Sequence, residues 1–452
     1  MKYLGRVFSI FCFCLVVSCY KCAAEDAAAD NAALLTLDDA IRIAQENNRS
    51  IKNAILAASI AADRTAEART YRFPSVDLYA LGSQLLTPLD FRFEQGLFGT
   101  FPGIGPIPAT DTSIHTPLRP TLYGVFQVSQ PLSQQHKIGL NIRLAKLNEK
   151  LNAEKLRAQK QQIANQVKQA YYALAKTQSA LEVSRRNLDL DRELQRLMQQ
   201  NVQQKTALKS DEMDAAAKLA QEEYSQLTLG NAMESQKEQL NELLGRDVRI
   251  AFSVGATPEP TAVEMDIESA RAKALGARPE LRQSRLGVEQ AELNRRITKA
   301  DYIPDVSFTV RDIALGNTSS FLPGNIASAG IMVSWNPLDW GRRKHELAEA
   351  TKTIEQSKNS VKDLEDQIIV EVGDKFRKLQ QTRALLHATD LMVASTQEKL
   401  RVTLNQYEQK TALTQDVLQQ KAALQSAFDQ RQQALAAFWT AKADFEKSLG
   451  ED

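Results

Sequence analysis

From residue 267 onward the chain repeats what it did from residue 37. Leu37-Asp38-Asp39-Ala40 aligns with Ile267-Glu268-Ser269-Ala270 at an offset of 230, and the register holds without a gap for about forty residues. Ala44 meets Ala274, Ile51 meets Leu281, and Phe73-Pro74-Ser75-Val76 meets Ile303-Pro304-Asp305-Val306. A chain duplicated in this way must fold as two versions of one unit.

Each copy opens as a helix that stops before its proline, because the residue preceding proline is pushed out of the α region. Thr36 with Asp39, and Asp266 at the matching place, supply N-caps. A strand follows each proline. Ser75–Leu81 and Asp305–Val310 alternate, with Val76 and Leu78, then Val306, Phe308 and Val310, on one face. A second strand puts Leu122, Gly124, Phe126 and Val128 on one face; its counterpart does so with Ile331, Val333 and Trp335. Both end in matching turns, Gln130-Pro131-Leu132 and Asn336-Pro337-Leu338, now at an offset of 206. The 24-residue difference falls between the strands, where Thr87–Pro120 is the longer loop and Asp312–Ser328 the shorter.

Long helical runs come next. Val167, Leu174, Leu181 and Leu188 recur at sevens, and so do Leu347, Ile354 and Val361, followed by Leu364, Ile368, Val372 and Leu379. That is a coiled-coil pattern. Lys137–Gln203 and Arg343–Glu408 predict helices roughly 100 Å long at 1.5 Å per residue. Both runs meet the same pentapeptide, Gln204-Lys205-Thr206-Ala207-Leu208 and Gln409-Lys410-Thr411-Ala412-Leu413. Ser210 and Thr414 then read as N-caps of return helices, with Asp211, Glu212 and Asp416 in first turns that favour acids. The first return helix ends near Gly245, before a linker spanning 251–264. The two repeats are thus 35–250 and 265–450.

The first 24 residues read as an export signal. Lys2 and Arg6 precede an apolar run from Val7 to Val17, too short to cross a bilayer. Cleavage after Ala24 is one reading. The other is a lipoprotein signal over 1–18, with Val16-Val17-Ser18-Cys19 leaving Cys19 lipidated. All four cysteines lie at or before Cys22, so the first reading leaves no thiol chemistry. It also takes the formal charge from +1 to −2, which gives no reason to expect a nucleic-acid partner. No later stretch approaches eighteen apolar residues, so membrane insertion must use strands. Four strands cannot close a barrel, since closed membrane barrels need about eight or more. Three chains would supply twelve. Tyr71, Phe73, Tyr123, Trp335 and Trp340, near the strand ends, fit membrane-interface aromatics or ordinary packing.

This order of elements resembles the TolC-like outer-membrane efflux protein family over essentially the whole mature chain. Leu35-Thr36-Leu37-Asp38-Asp39-Ala40 is similar to its opening helix, Trp335-Asn336-Pro337-Leu338-Asp339-Trp340-Gly341-Arg342-Arg343 to its strand exit, and Tyr407–Leu418 to its hairpin tip. The resemblance implies a mainly α fold with membrane β-strands: a homotrimer with a 12-stranded outer-membrane β-barrel continued by a 12-helix periplasmic α-barrel. It implies an exit duct for tripartite efflux pumps or type I secretion. The partners would be a periplasmic adaptor, an inner-membrane RND or ABC transporter and outer-membrane lipid. A periplasmic gate of Asp211, Asp214, Tyr407 and Asp416 is also implied, and both pentapeptides would be adaptor contacts. Helix capping is the competing reading of Asp211 and Asp416. This chain departs from the family at Lys205 and Lys410, where glycine is common, at Gln419, where a second gate acid stands, and at Ala412, where some members have arginine. A Lys–Asp arrangement is the expected substitute.

Catalytic chemistry finds no foothold. His115, His136, His345 and His387 are scattered without metal-ligand spacing, and Gly103-Ile104-Gly105 sits among prolines with no helix after it. Neither a cofactor nor a metal is expected. The rival from another class is a periplasmic coiled-coil adaptor or structural protein, which has one hairpin rather than two tied to strand pairs.

Overall fold

The computed structural model describes residues 33–451, apart from 85, 89, 116–117, 119, 207, 256, 261–264, 317–323, 410 and 413, and for 33 and 414–415 only the backbone. Both readings of the export signal fall outside the described residues. The chain divides into two compact units. One takes the chain up to Ala54, Leu156–Pro279 and Glu365 onward; the other takes Ile55–Lys155 and Glu280–Leu364.

The opening helix of each copy is two helices, not the single one expected. In the first copy β1 (Ala33–Leu35) leads to α1 (Leu37–Asn47) and α2 (Arg49–Thr70), which part at Asn48. Thr36 caps α1 as foreseen, its hydroxyl accepting from the Asp39 N–H. Asn48 has an extended ψ of 128°, and its Oδ1 accepts from the Ser50 and Ile51 N–H groups, so one side chain ends α1 and starts α2.

Next come β2 (Ser75–Gln84), β3 (Asp90–Phe93), β4 (Thr100–Phe101), β5 (Gly105–Pro106), β6 (Thr112–His115) and β7 (Pro120–Pro131). The long loop expected from Thr87 to Pro120 therefore carries two small antiparallel ladders of its own, β3 with β6 and β4 with β5. Two helices follow, α3 (Gln135–Gln203) and α4 (Lys209–Leu244), and then β8 (Phe252–Val254) inside the expected linker.

The second copy runs α5 (Ile267–Ala277), α6 (Pro279–Ala300), β9 (Asp305–Gly316), β10 (Asn325–Ser334), α7 (Arg342–Glu408) and α8 (Thr414–Ser448). Its opening helix breaks at Arg278, 230 residues after Asn48, and Pro279 takes the first position of α6, where its missing N–H costs nothing. Strands β9 and β10 extend into the expected Asp312–Ser328 loop, while Trp335 stands just past the end of β10.

In the first unit the expected heptads are the core of the helices. Val167, Leu174, Leu181 and Leu188 of α3 are buried, as are Ile368, Val372 and Leu379 of α7. A parallel clasp, β1 with β8, packs on α3: the Tyr171 hydroxyl donates to the Leu35 carbonyl at 3.1 Å and accepts from the Gly255 N–H at 3.1 Å. Burial raises the Tyr171 pKa. The second unit holds one antiparallel sheet in the order β10-β9-β7-β2. Leu140, Leu293 and Ala300 form a small helical core beside Leu144, Leu147 and Ile297. The upper seam of α7, Leu347, Ile354 and Val361, is only half-buried there.

Candidate functional site

The four-stranded sheet sorts its residues by face. Cross-strand partners run Val76–Val128–Val310–Ala329 and Leu78–Phe126–Asp312–Ala327 on one face. The same register sets Asp77–Gln127–Arg311–Ser328 and Ser75–Ser129–Thr309–Gly330 on the other. Every apolar strand face read from the sequence thus falls on one side of one sheet, because side chains alternate with a period of two. Val76, Leu78, Phe126, Phe308, Ile331 and Val333 on that side are exposed. The one acid among them, Asp312, has an Oδ1 that is buried without a hydrogen-bond partner. Strands β2 and β10 are the sheet's two edges, and nearly all their residues are exposed.

The strand-to-helix turns are built differently in the two copies. In the first, Ser133 donates its hydroxyl to the Pro304 carbonyl and accepts from the Val306 N–H, both at 2.7 Å, which pins the turn to the start of β9. In the second, the Asp339 carboxylate accepts from the Gly341 N–H at 3.1 Å and the Arg343 N–H at 3.3 Å, with the Arg343 side chain 3.4 Å away. It therefore fills the capping place at the start of α7. Between them Trp340 has a φ of +56° and its side chain is 90% exposed. Tyr71, Phe73, Tyr123 and Trp335 are exposed as well.

At the tips, the shared pentapeptide is a helix stop. The N–H and the hydroxyl of Thr206 both donate to the Asn201 carbonyl at 2.9 Å, and those of Thr411 do the same to Gln406 at 2.9 Å. Lys205, with a φ of +60°, occupies the left-handed position where such a stop favours glycine. Ser210 is not the cap expected of it but lies inside α4; the Leu208 N–H is held instead by the Asp211 carboxylate at 3.1 Å. Thr414 is likewise within α8. Asp214, Tyr407 and Asp416 are exposed, the aspartates near the starts of α4 and α8 and the tyrosine near the end of α7. Gln204, Lys205, Thr206, Leu208, Gln409 and Thr411 are also exposed and Ala412 is half-buried, whereas Ala207, Lys410 and Leu413 lie outside the described residues.

Sequence reasoning missed what the return helices do at their far ends. Gly245 and Gly450, at φ +70° and +75°, are 205 residues apart and close their helices alike. The Arg246 N–H reaches Asn241 and the Glu451 N–H reaches Glu446, five residues back in each case. A Cβ on Gly245 would stand 2.4 Å from the Asn47 carbonyl oxygen, and one on Gly450 would stand 2.9 Å from the Arg278 nitrogen. Each glycine is thus pressed against the helix break of its own copy. The signal was present, two glycines at one offset, but nothing in the sequence said what they touch.

Ion pairs cross between helices in the first unit. Asp444 of α8 accepts from Lys375 of α7 at 2.9 Å and from Asn165 and Gln169 of α3. Burial alone would raise its pKa, but these donors outweigh it and hold the carboxyl below its ordinary value. Asp429, also on α8, is pushed up by burial and by the nearby Glu222. Among the described residues no group of His, Cys, Asp and Glu is placed to hold a metal ion, and no helix is long and apolar enough to cross a membrane.

A duplicated strand pair and helical hairpin, with one apolar sheet face, defines a class of membrane protein that inserts by strands. The profile of the outer membrane efflux protein family matches residues 40–246 and again 270–451, so the chain belongs to that family. The fold is also that of solved channels. The outer membrane protein VceC of Vibrio cholerae superposes with a TM-score of 0.71 at 18% identity, over 92% of this chain and 96% of that one. The CmeC outer membrane channel of Campylobacter jejuni gives 0.74 at 14% identity, over 92% and 85%. The open state of the Neisseria gonorrhoeae MtrE outer membrane channel gives 0.70 at 16%, over 92% and 89%. Among curated protein sequences none matches. Membership sets the chain's work in the outer membrane, as an exit duct of efflux pumps, in a family of channels rather than of enzymes.

Proposed function

We propose that this chain is one third of a homotrimer whose twelve strands close a barrel in the outer membrane and whose hairpins form the periplasmic tunnel. The observation that carries this is the sheet with an apolar face and two open edges, β2 and β10. An open edge in lipid leaves a row of backbone groups unsatisfied, at several kcal/mol each. Pairing β2 of one chain with β10 of the next continues the antiparallel alternation and removes both edges. The half-buried seam of α7 supports the same reading, since it has room for a neighbour's helix.

The duct conducts passively, docking at its tips with a periplasmic adaptor that links it to an inner-membrane RND or ABC transporter, or serving type I secretion in the same way. Asp416 and Tyr407, with Asp211 and Asp214 on the other tip, form its gate; three Asp416 carboxylates facing one entrance attract cations and repel one another. Asp211 also closes the first turn of α4, so it serves the fold as well. The mature chain begins at Glu25, or at a lipidated Cys19, which the mass of the mature N-terminal peptide tells apart.

An SDS-resistant trimer recovered from the outer-membrane fraction is the expected result; a monomer released with the soluble periplasm would favour an adaptor instead. Asp416→Ala is expected to relieve cation block and raise single-channel conductance. Unchanged block and closure would remove Asp416 from the gate.

A further inference from the structure

The face of the sheet that holds Asp77 and Arg311 carries its charges at few places. Among the described strand residues of that face only Asp77, Asp305 and Arg311 are charged, and Asp305 stands at the very start of β9 beside Ser334. Arg311 and Asp77 share one cross-strand row, Asp77–Gln127–Arg311–Ser328. The next row outward, Tyr79–Val125–Ile313–Ile326, is apolar or aromatic throughout. Arg311 is exposed, and its guanidinium is held sideways by two bonds to one acceptor, Nε and Nη2 donating to Gln127 Oε1 at 3.0 and 2.6 Å. Asp77 is half-buried two strands away.

Adjacent strands lie about 4.8 Å apart, so the two charges are separated by roughly 10 Å, too far for an ion pair. Strands in membrane barrels tilt by about 35–45°, which sets the two residues roughly 6 Å apart along the barrel axis. Three-fold symmetry then places three Arg311 at one level and three Asp77 at another. At a separation about equal to the Debye length of about 8–10 Å, each set offsets the other only in part.

The geometry points to Arg311 and Asp77 as the residues that set which charge of solute passes the barrel, in two stacked rings of opposite sign. This rests on the trimeric reading above. The Arg311 ring dominates because its charges stand in the lumen while those of Asp77 are half-covered. Inorganic anions and the anionic groups of a solute are therefore favoured at that level, independently of the acids at the hairpin tips.

The test uses the full chain in cells with Ser328→Cys, which places a thiol beside Arg311 in the register; every native cysteine lies at or before position 22. Two methanethiosulfonate reagents are applied from outside, one bearing a sulfonate and one a trimethylammonium group. Relative to their rates with a free small thiol, the sulfonate reagent should be favoured over the trimethylammonium one. The ratio of the two rates should fall roughly threefold on adding Arg311→Gln, as expected for three screened unit charges, recover with Arg311→Lys, and rise by less with Asp77→Asn. Ala327→Cys, on the opposite face, should react with neither charged reagent. Trimer content of the outer membrane is measured on the same cells. If the chain without these changes forms no trimer, the trimeric reading fails and takes the rings with it. If trimers form but the ratio ignores both Arg311→Gln and Asp77→Asn, or if Ala327→Cys reacts in place of Ser328→Cys, the rings alone are overturned.

Discussion

The two copies solve the same four problems, and they agree where backbone geometry decides and part where side chains do. Both return helices end in a left-handed glycine set against a helix break, and both outgoing helices end in the same threonine-closed stop. The breaks themselves use Asn48 in one copy and Arg278 in the other. Asn48 donates to the Leu243 carbonyl at 2.7 Å, whereas the Arg278 side chain pairs with Glu371. The turns out of the sheet use Ser133 and Asp339. Duplication preserved the route of the main chain and let the chemistry along it drift, since a route can be held by any group with the right donors and acceptors.

That comparison breaks most readily at the glycines. Gly245→Ala brings a Cβ within 2.4 Å of backbone that has nowhere to go. A loss of about 3 kcal/mol or more is expected from overpacking and the positive φ together. Gly450→Ala, whose nearest atom is at 2.9 Å, should cost less. Thermal unfolding of the purified protein in detergent ranks the two; equal losses would mean that only the shared φ matters.

The turns come second. Asp339→Ala should cost about 1–2 kcal/mol by leaving two N–H groups at the start of α7 without their acceptor. Ser133→Ala should cost about 1 kcal/mol by removing one bridging hydroxyl. A larger loss at Ser133 would reverse the ranking and make the sheet contact, not the cap, the stronger anchor.

Lys205→Gly sharpens the likeness of the tips. It relieves a left-handed residue and should stabilise the first tip by about 1 kcal/mol, read as slower hydrogen exchange at the Thr206 N–H. No change there would show that the strain is relieved in some other way.

The smallest effects concern two acids on α8. Asp444 has a lowered pKa, so its stabilising contribution is present above its ordinary 3.8 and is lost as pH falls through the lowered value. Asp444→Asn should therefore destabilise at neutral pH and lose its effect in strong acid. Asp429 has a raised pKa, so its carboxylate opposes folding above that value and ceases to do so as pH falls below 3.8. Asp429→Asn should raise the melting temperature at neutral pH and do nothing in acid. Parallel shifts in the two variants would contradict the opposed environments.

Much of the fold was legible because periodicity and punctuation are local. Heptads marked α3 and α7 to within two residues at each end, Phe73-Pro74 and Ile303-Pro304 ended the opening helices, and alternation found all four long strands. The misses were non-local. The break at Asn48 is compatible with an unbroken helix until the Leu243 carbonyl arrives from 195 residues away. The three-residue clasp of β1 with β8 is too short to show a pattern and exists because Tyr171 and Gln178 hold it. Ser210 reads as a cap by residue type, but the stop that includes Thr206 set the cap and the start of α4 two residues earlier, at Leu208 and Lys209.

By itself the sequence determined the duplication, the order of elements and an alternating apolar side for each long strand, because all three follow from spacing along the chain. Only the tertiary structure decided that those sides coincide across four strands, that Gly245 and Gly450 lock the helix breaks, and that Arg311 and Asp77 share one row. Those facts depend on register between segments far apart in sequence, and a shift of one residue would have sent every side chain to the other face.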